Sequence, residues 1–268
     1  MVSRILLEPE SDKDVETMNC YVCTERITDG NKTEEHILLN SIGGRLKSNY
    51  IICKQCNSEF GEDIDSDLSN QLNFIANMLN LKRERGEPQR VSGKSVNGED
   101  IWMEPGGKPS MKKPIIKLDE KGKKLTVVAP RMKGLKKQLE GLRRKYPTIN
   151  MDELGKAEVK REYLSERYHF DQVFGGEKTF RSICKKAVNF YMHYGGKKET
   201  ISHLIDYIKN GSESDSKVAA FYYPEQQQEV IPKNDGEILH SIILKGSSDN
   251  RILYCYVELF NLSLHHCL

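Results

Sequence analysis

The chain has 268 residues, 37% of them hydrophobic and 30% charged, with a formal net charge of +2. That length holds one large domain or two ordinary ones, and no apolar run approaches the roughly eighteen residues that a membrane helix needs. The opening stretch MVSRILLEPESDKDVETMN has neither a long apolar segment nor a small-residue cleavage site, so a cytoplasmic chain without membrane association is expected.

Residues 1–14 are mostly polar and read as a loose arm or short edge strand. From Asn19 to Gly61 the sequence is compact, with two close cysteine pairs and a Gly43-Gly44 turn. A helix is expected to start near Cys53 or Cys56 and to break at Gly61. A second starts at Ile64-Asp65-Ser66, capped by Asp65 or Ser66, because Leu68, Leu72, Ile75 and Leu79 recur at helical spacing.

The stretch 85–113 is rich in glycine and lysine, with turn signals at Asn97-Gly98 and Pro105-Gly106-Gly107. It reads as a linker or as long strands joined by loose turns. A β-hairpin follows, pairing Pro114–Leu118 with Leu125–Val128, and then a basic amphipathic helix from Met132 to Tyr146. Farther on come a strand at Tyr168–Phe170, a helix from Thr179 to Tyr194 with Ile183, Ala187, Phe190 and Tyr191 on its apolar face, and a short helix over 201–208. Strands at 218–223, 238–244 and 252–260 close the chain, and the strand pattern still runs at Leu268, as in a domain cut short. The expected class is α+β. A compact module bearing the paired cysteines at 1–82 is followed by a linker or loose strands at 83–113 and by a mixed α+β domain of unknown role at 114–268.

Lysine and arginine crowd the middle of the chain, from Lys82-Arg83-Glu84-Arg85 to Arg143-Arg144-Lys145. Such a run can neutralise phosphates without reading sequence, or it can be a set of solvated faces. Trp102 and the tyrosines Tyr191, Tyr194, Tyr222 and Tyr223 can stack on bases or simply pack.

Seven cysteines in a chain with no export signal argue against a disulfide framework. Cys184, Cys255 and Cys267 are scattered in apolar surroundings and read as small core residues. Cys20/Cys23 and Cys53/Cys56 form two CxxC pairs, the four thiolates that tetrahedral structural zinc takes. Such a site also explains how a small module folds around a thin core. Polar chemistry sits between and beside these pairs. Glu35-His36 precedes the apolar run Ile37-Leu38-Leu39, and Asn57 directly follows the last cysteine at a helix start. A carboxylate and an amide oxygen are hard ligands for Mg²⁺ or Mn²⁺, and a histidine beside them is suited to taking a proton from water. His169, His193, His203 and His240 are dispersed, and His265-His266 reads as part of a strand.

The order Cys20-x-x-Cys23, Glu35-His36, Asn49, Cys53-x-x-Cys56-Asn57 resembles the HNH (ββα-metal) endonuclease family, in the branch whose two CxxC pairs bind zinc. It is also similar to the phage endonuclease VII type of junction-resolving enzyme, and the likeness covers about 19–65. The resemblance implies that His36 is the general base, that Glu35 and Asn57 hold the catalytic divalent metal, and that Asn49 ties the loop or orients the histidine. Two positions depart from the common pattern: Glu35 stands where many members have Asp, and Asn57 stands where the family name expects His. Both keep an oxygen donor.

The function expected on these grounds is metal-dependent hydrolysis of nucleic-acid phosphodiesters, DNA favoured over RNA. A phage-defence or mobile-element setting, with a regulatory partner or a homodimer formed through the C-terminal domain, fits the architecture. The rival expectation is a non-catalytic zinc module that binds nucleic acid or protein.

Overall fold

The structure, a computed structural model, describes residues 18–84, 86–113, 115–118, 125–128, 140–141, 144–145, 167–211, 219–221, 232–247, 252–261 and 263–267. The chain is α+β and divides into two compact units. One comprises Met1–Ala76, Lys82–Gly86 and Val173–Leu268, and the other Asn77–Leu81 with Glu87–Gln172. The chain-order division at 82 and 113 is therefore not the spatial one. The segment after residue 173 folds together with the cysteine-bearing N-terminal part, because its first helix supplies partners for charged groups there.

In the first unit, β1 (Glu35–His36) pairs antiparallel with β2 (Lys47–Ser48), Glu35 opposite Ser48 and His36 opposite Lys47. The connection passes through a 3-10 turn at Asn40–Ile42 and ends on Gly43 at φ 93°. A Cβ on the next residue, Gly44, would lie 2.0 Å from the Leu38 carbonyl oxygen, so the loop can cross there only on glycine. Helix α1 (Lys54–Glu62) follows, then α2 (Ile64–Met78). The β-β-α order expected of 19–65 is thus present. The second helix begins one residue earlier than its presumed cap, so Asp65 and Ser66 lie inside its first turn.

Leu68 and Leu72 of α2 are fully buried, as their spacing requires, and Ala76 continues the stripe; Ile75 is only partly buried, and Leu79 lies beyond the helix end and is exposed. Helix α3 (Glu177–His193) is buried over nearly its whole middle and packs on helix α4 (Ser202–Asn210) and on an antiparallel sheet. That sheet has the order β10-β11-β12-β9, from β9 (Ala219–Phe221), β10 (Ser241–Ser247), β11 (Ile252–Leu259) and β12 (Ser263–Cys267). Cys184 and Cys255 are core residues, as expected.

The second unit holds β3 (Val91–Ser95), β4 (Asp100–Glu104), β5 (Lys108–Met111) and β8 (Tyr168–His169) in one antiparallel sheet of order β5-β4-β3-β8. Within 86–113 three strands alternate with turns, which fall where Asn97-Gly98 and Gly106-Gly107 place them. The predicted hairpin is β6 (Ile115–Leu118) paired with β7 (Leu125–Val128). Most of the predicted helix from Met132 to Tyr146 lies outside the described residues. Among those described, no helix is long and apolar enough to cross a membrane.

Candidate active site and metal centre

The first CxxC pair sits on a tight knuckle closed by two backbone bonds, Thr24 N to Cys20 O at 2.9 Å and Cys20 N to Glu25 O at 2.8 Å. Tyr21 N donates to Ile51 O at 3.0 Å, which carries the knuckle against the second pair at the start of α1. The four sulfurs of Cys20, Cys23, Cys53 and Cys56 all lie within 4.8 Å of one another, with Cys23 and Cys53 Sγ 3.7 Å apart. A tetrahedron of sulfurs about 2.3 Å from zinc has edges of roughly 3.8 Å, so the arrangement fits that ion. Burial first, and the neighbouring Cys20 sulfur second, push the Cys56 thiol up. A divalent cation among the four would remove that repulsion and hold all of them as thiolates.

This frame places the polar residues. Lys54 N, at the start of α1, donates to Asn31 O at 2.7 Å, and Asn57 Nδ2 donates to Thr33 Oγ1 at 3.3 Å. Asn57 is thereby tied to the segment leading into β1. Its Oδ1 accepts no hydrogen bond among the described residues.

Alternation along β1 sends its two residues to opposite sides. His36 is partly exposed, and its Nε2 lies 3.3 Å from Asn40 Nδ2 and 3.4 Å from Glu84 Oε2. Glu84 is fixed in turn by Lys47, the cross-strand partner of His36, whose Nζ bonds Glu84 Oε2 and Glu34 Oε1 at 2.7 Å each. Those two bonds raise the Lys47 ammonium above its ordinary value, and the Lys47 bond lowers the Glu84 carboxyl. An amide nitrogen can only donate, so the Asn40 bond places the lone pair on Nε2 and the ring proton on Nδ1. Glu84 Oε2, 3.4 Å from Nε2, is placed to meet a proton gained there.

Two of these neighbours were invisible in the motif. Asn40 is the asparagine bonded to the histidine; Asn49 is exposed after β2, and its side chain makes no hydrogen bond among the described residues. Glu84 belongs by sequence to a basic run, and nothing local marks it as a partner of His36.

Glu35 faces inward and is 5% exposed. Its Oε1 accepts from Lys185 Nζ and Asn189 Nδ2, both at 2.7 Å, and lies 3.6 Å from Lys186 Nζ. Asp65 takes Lys185 Nζ at 2.7 Å, Ser182 Oγ at 2.6 Å and Lys186 Nζ at 3.0 Å. Tyr21 OH donates to Asn189 Oδ1 at 2.9 Å, closing a buried cluster of two carboxylates and two ammoniums. Burial alone would raise Asp65, but the two lysines outweigh it and hold the carboxyl at about 2. Its stabilising charge is present above the ordinary carboxylate value and is lost as pH falls from about 4 toward that level. Burial works against Lys185 too, yet Asp65 and Glu35 raise it; for Lys186, burial wins and lowers it. All the hydrogen bonds Glu35 makes among the described residues fall on Oε1.

Lys185→Met is expected to cost about 3–5 kcal/mol, since it leaves two buried carboxylates facing one poorly aligned ammonium. Urea denaturation of this variant beside Glu35→Gln/Lys185→Met, in which one charge of each sign is gone, checks it. A single variant as stable as wild type, or a double variant worse than the single, contradicts the pairing.

No curated protein and no solved structure matches the chain. The family model described as HNH endonuclease matches residues 20–73. That span contains the four cysteines, the strand pair and Asn57, and so this chain carries an HNH endonuclease-family module built on a four-cysteine site.

Proposed function

We propose that this protein is a divalent-metal-dependent endonuclease that hydrolyses phosphodiester bonds of nucleic acid, DNA in preference to RNA. The observation that carries the reading is His36. It stands partly exposed on β1, its Nε2 lone pair meets the Asn40 amide, and the Glu84 carboxylate lies 3.4 Å from the same nitrogen. In this reading Nε2 takes a proton from the attacking water, and the developing imidazolium is stabilised by Glu84. Glu35 Oε2 and Asn57 Oδ1 would hold Mg²⁺ or Mn²⁺. Such an ion supplies positive charge to the scissile phosphate and the departing oxygen. Lys185 and Asn189 fix Glu35 from behind, which couples the site to the C-terminal part of the chain and supports a regulatory role for that part. Asn49 is assigned to the connection between β2 and Cys53.

A second reading is favoured by one feature: the Glu35 carboxylate already faces two ammoniums, which reduces the charge it can offer a metal. On that reading the module binds nucleic acid or protein without cutting. Incubation of plasmid, single-stranded DNA, branched DNA and RNA with Mg²⁺ or Mn²⁺ separates the two. Cleavage that needs added metal while the protein's zinc content stays constant is expected. Absence of cleavage on all four substrates with either metal leaves only the binding module.

A further inference from the structure

We propose that the outward face of the sheet β5-β4-β3-β8 binds the phosphate backbone of a nucleic-acid strand, with Trp102 at its centre. The inference rests on the reading of this protein as one that acts on nucleic acid. It adds where, outside the four-cysteine module, such a substrate is held.

The register fixes which residues share this face. Ser92 is opposite Trp102, which is opposite Ser110; Lys94 is opposite both Asp100 and His169; Glu104 is opposite Lys108. Arg90 and Lys112 extend the ends of β3 and β5 on the same side. The other face carries Ile101, Met103 and Ser95, all buried. Strand alternation thus separates an apolar side from a solvent side. On the solvent side Arg90, Ser92, Lys94, Asp100, Lys108 and His169 are exposed.

Trp102 is the chain's single tryptophan, and it sits half-buried in the middle of this polar face. Arg90 Cζ lies 4.6 Å and Lys112 Nζ 4.4 Å from the ring centroid. The ring's negative face thereby holds two cations upright, at the cost of little of their charge. Lys112 is also steadied by a hydrogen bond to Ser92 Oγ. Among the described residues, Arg90, Lys94 and Lys108 make no ion pair, so the Arg90 guanidinium keeps its donor fork open. Four cations, Arg90, Lys94, Lys108 and Lys112, face two carboxylates, Asp100 and Glu104, and Ser110 Oγ already occupies Glu104 at 2.9 Å. A polyanion complements that excess, and the cations are placed by strand geometry, not left to search as free surface lysines do. The aromatic edge between them suits a strand whose bases and sugars lie close to its phosphates.

Trp102 reports on its own site. Full-length, zinc-loaded protein is titrated with a single-stranded oligonucleotide, and separately with its duplex, without added Mg²⁺ or Mn²⁺. Tryptophan emission and salt-dependent affinity are recorded. Nucleic acid is expected to quench Trp102, and Arg90→Ala/Lys112→Ala to weaken binding at least tenfold at low salt. Each lost phosphate contact lowers the slope of log affinity against log salt by roughly one, so the double variant should lose about two. Lys94→Glu/Lys108→Glu leaves the cation-ring stack intact and guards against a folding artefact; it should weaken binding as well. Affinity and salt slope unchanged in both variants overturn the proposal, whether or not the emission changes. Because no cleavage is required, quenching and variant losses would stand even if the nuclease reading fell. Conversely, a cleaving protein indifferent to these variants would keep that reading and lose this one.

Discussion

Cys53→Ser is expected to abolish zinc retention and unfold the N-terminal module, the largest single effect the structure implies. Cys53 is 1% exposed, it begins helix α1, and its sulfur lies 3.7 Å from that of Cys23. Structural zinc in such small sites binds with an apparent free energy of about 10–16 kcal/mol at neutral pH, and most of that is folding free energy. The strands of the module are two residues each and cannot hold themselves, so the knuckle, the Ile51 backbone bond and the α1 start depend on the four sulfurs. Metal analysis should find one zinc per chain in the wild type and none in the variant. Thermal melting and near-UV dichroism should show the module's loss. A metal-free wild type, or a variant that melts with it, contradicts the assignment.

His36→Ala is the second large effect, and it is expected in the rate, not in the fold. The side chain is partly exposed, its contacts are to the half-buried Asn40 and the exposed Glu84, and its removal opens no sealed cavity. General-base catalysis by a positioned side chain is worth about 10²–10⁴-fold, so cleavage should fall by that factor while zinc content and melting stay within error. Asn40 and Glu84 make the argument specific: the Asn40 amide marks Nε2 as the basic nitrogen, and Glu84, 3.4 Å away, stabilises the proton it gains.

Much of this site was legible before any coordinates. Two CxxC pairs need no tertiary information to suggest a tetrahedral thiolate site, and Gly43-Gly44 marked the tight crossing that the Leu38 carbonyl enforces. The hairpin at 115–128 and the helix over 177–193 followed from alternation and from helical spacing. The surroundings of Glu35 did not follow. The period through Ile183, Ala187 and Phe190 marks one buried face of α3, and propensity sends Lys185 and Lys186 to solvent. Instead Thr179, Ser182, Lys185, Lys186 and Asn189 form a second, polar stripe that is fully buried against Asp65, Asp67, Glu35 and Tyr21. A buried lysine is stable only where carboxylates meet it, and those carboxylates lie more than a hundred positions away in sequence. Glu84 was hidden for the same reason, since its role depends on the chain returning past β2 after α2. Asn49 was the converse case: a motif position whose side chain turns to solvent while Asn40, unmarked by spacing, takes the place beside the histidine.

The central claim, that the four-cysteine frame presents His36 as the base of a phosphodiester hydrolase, is tested most directly by one comparison. Wild type and His36→Ala, matched for zinc content and melting temperature, are incubated with plasmid DNA and Mn²⁺, and the initial nicking rates are measured. The account predicts metal-dependent nicking by the wild type and a rate at least about a hundredfold lower for the variant. Equal rates in the two proteins, at any level of activity, would contradict it.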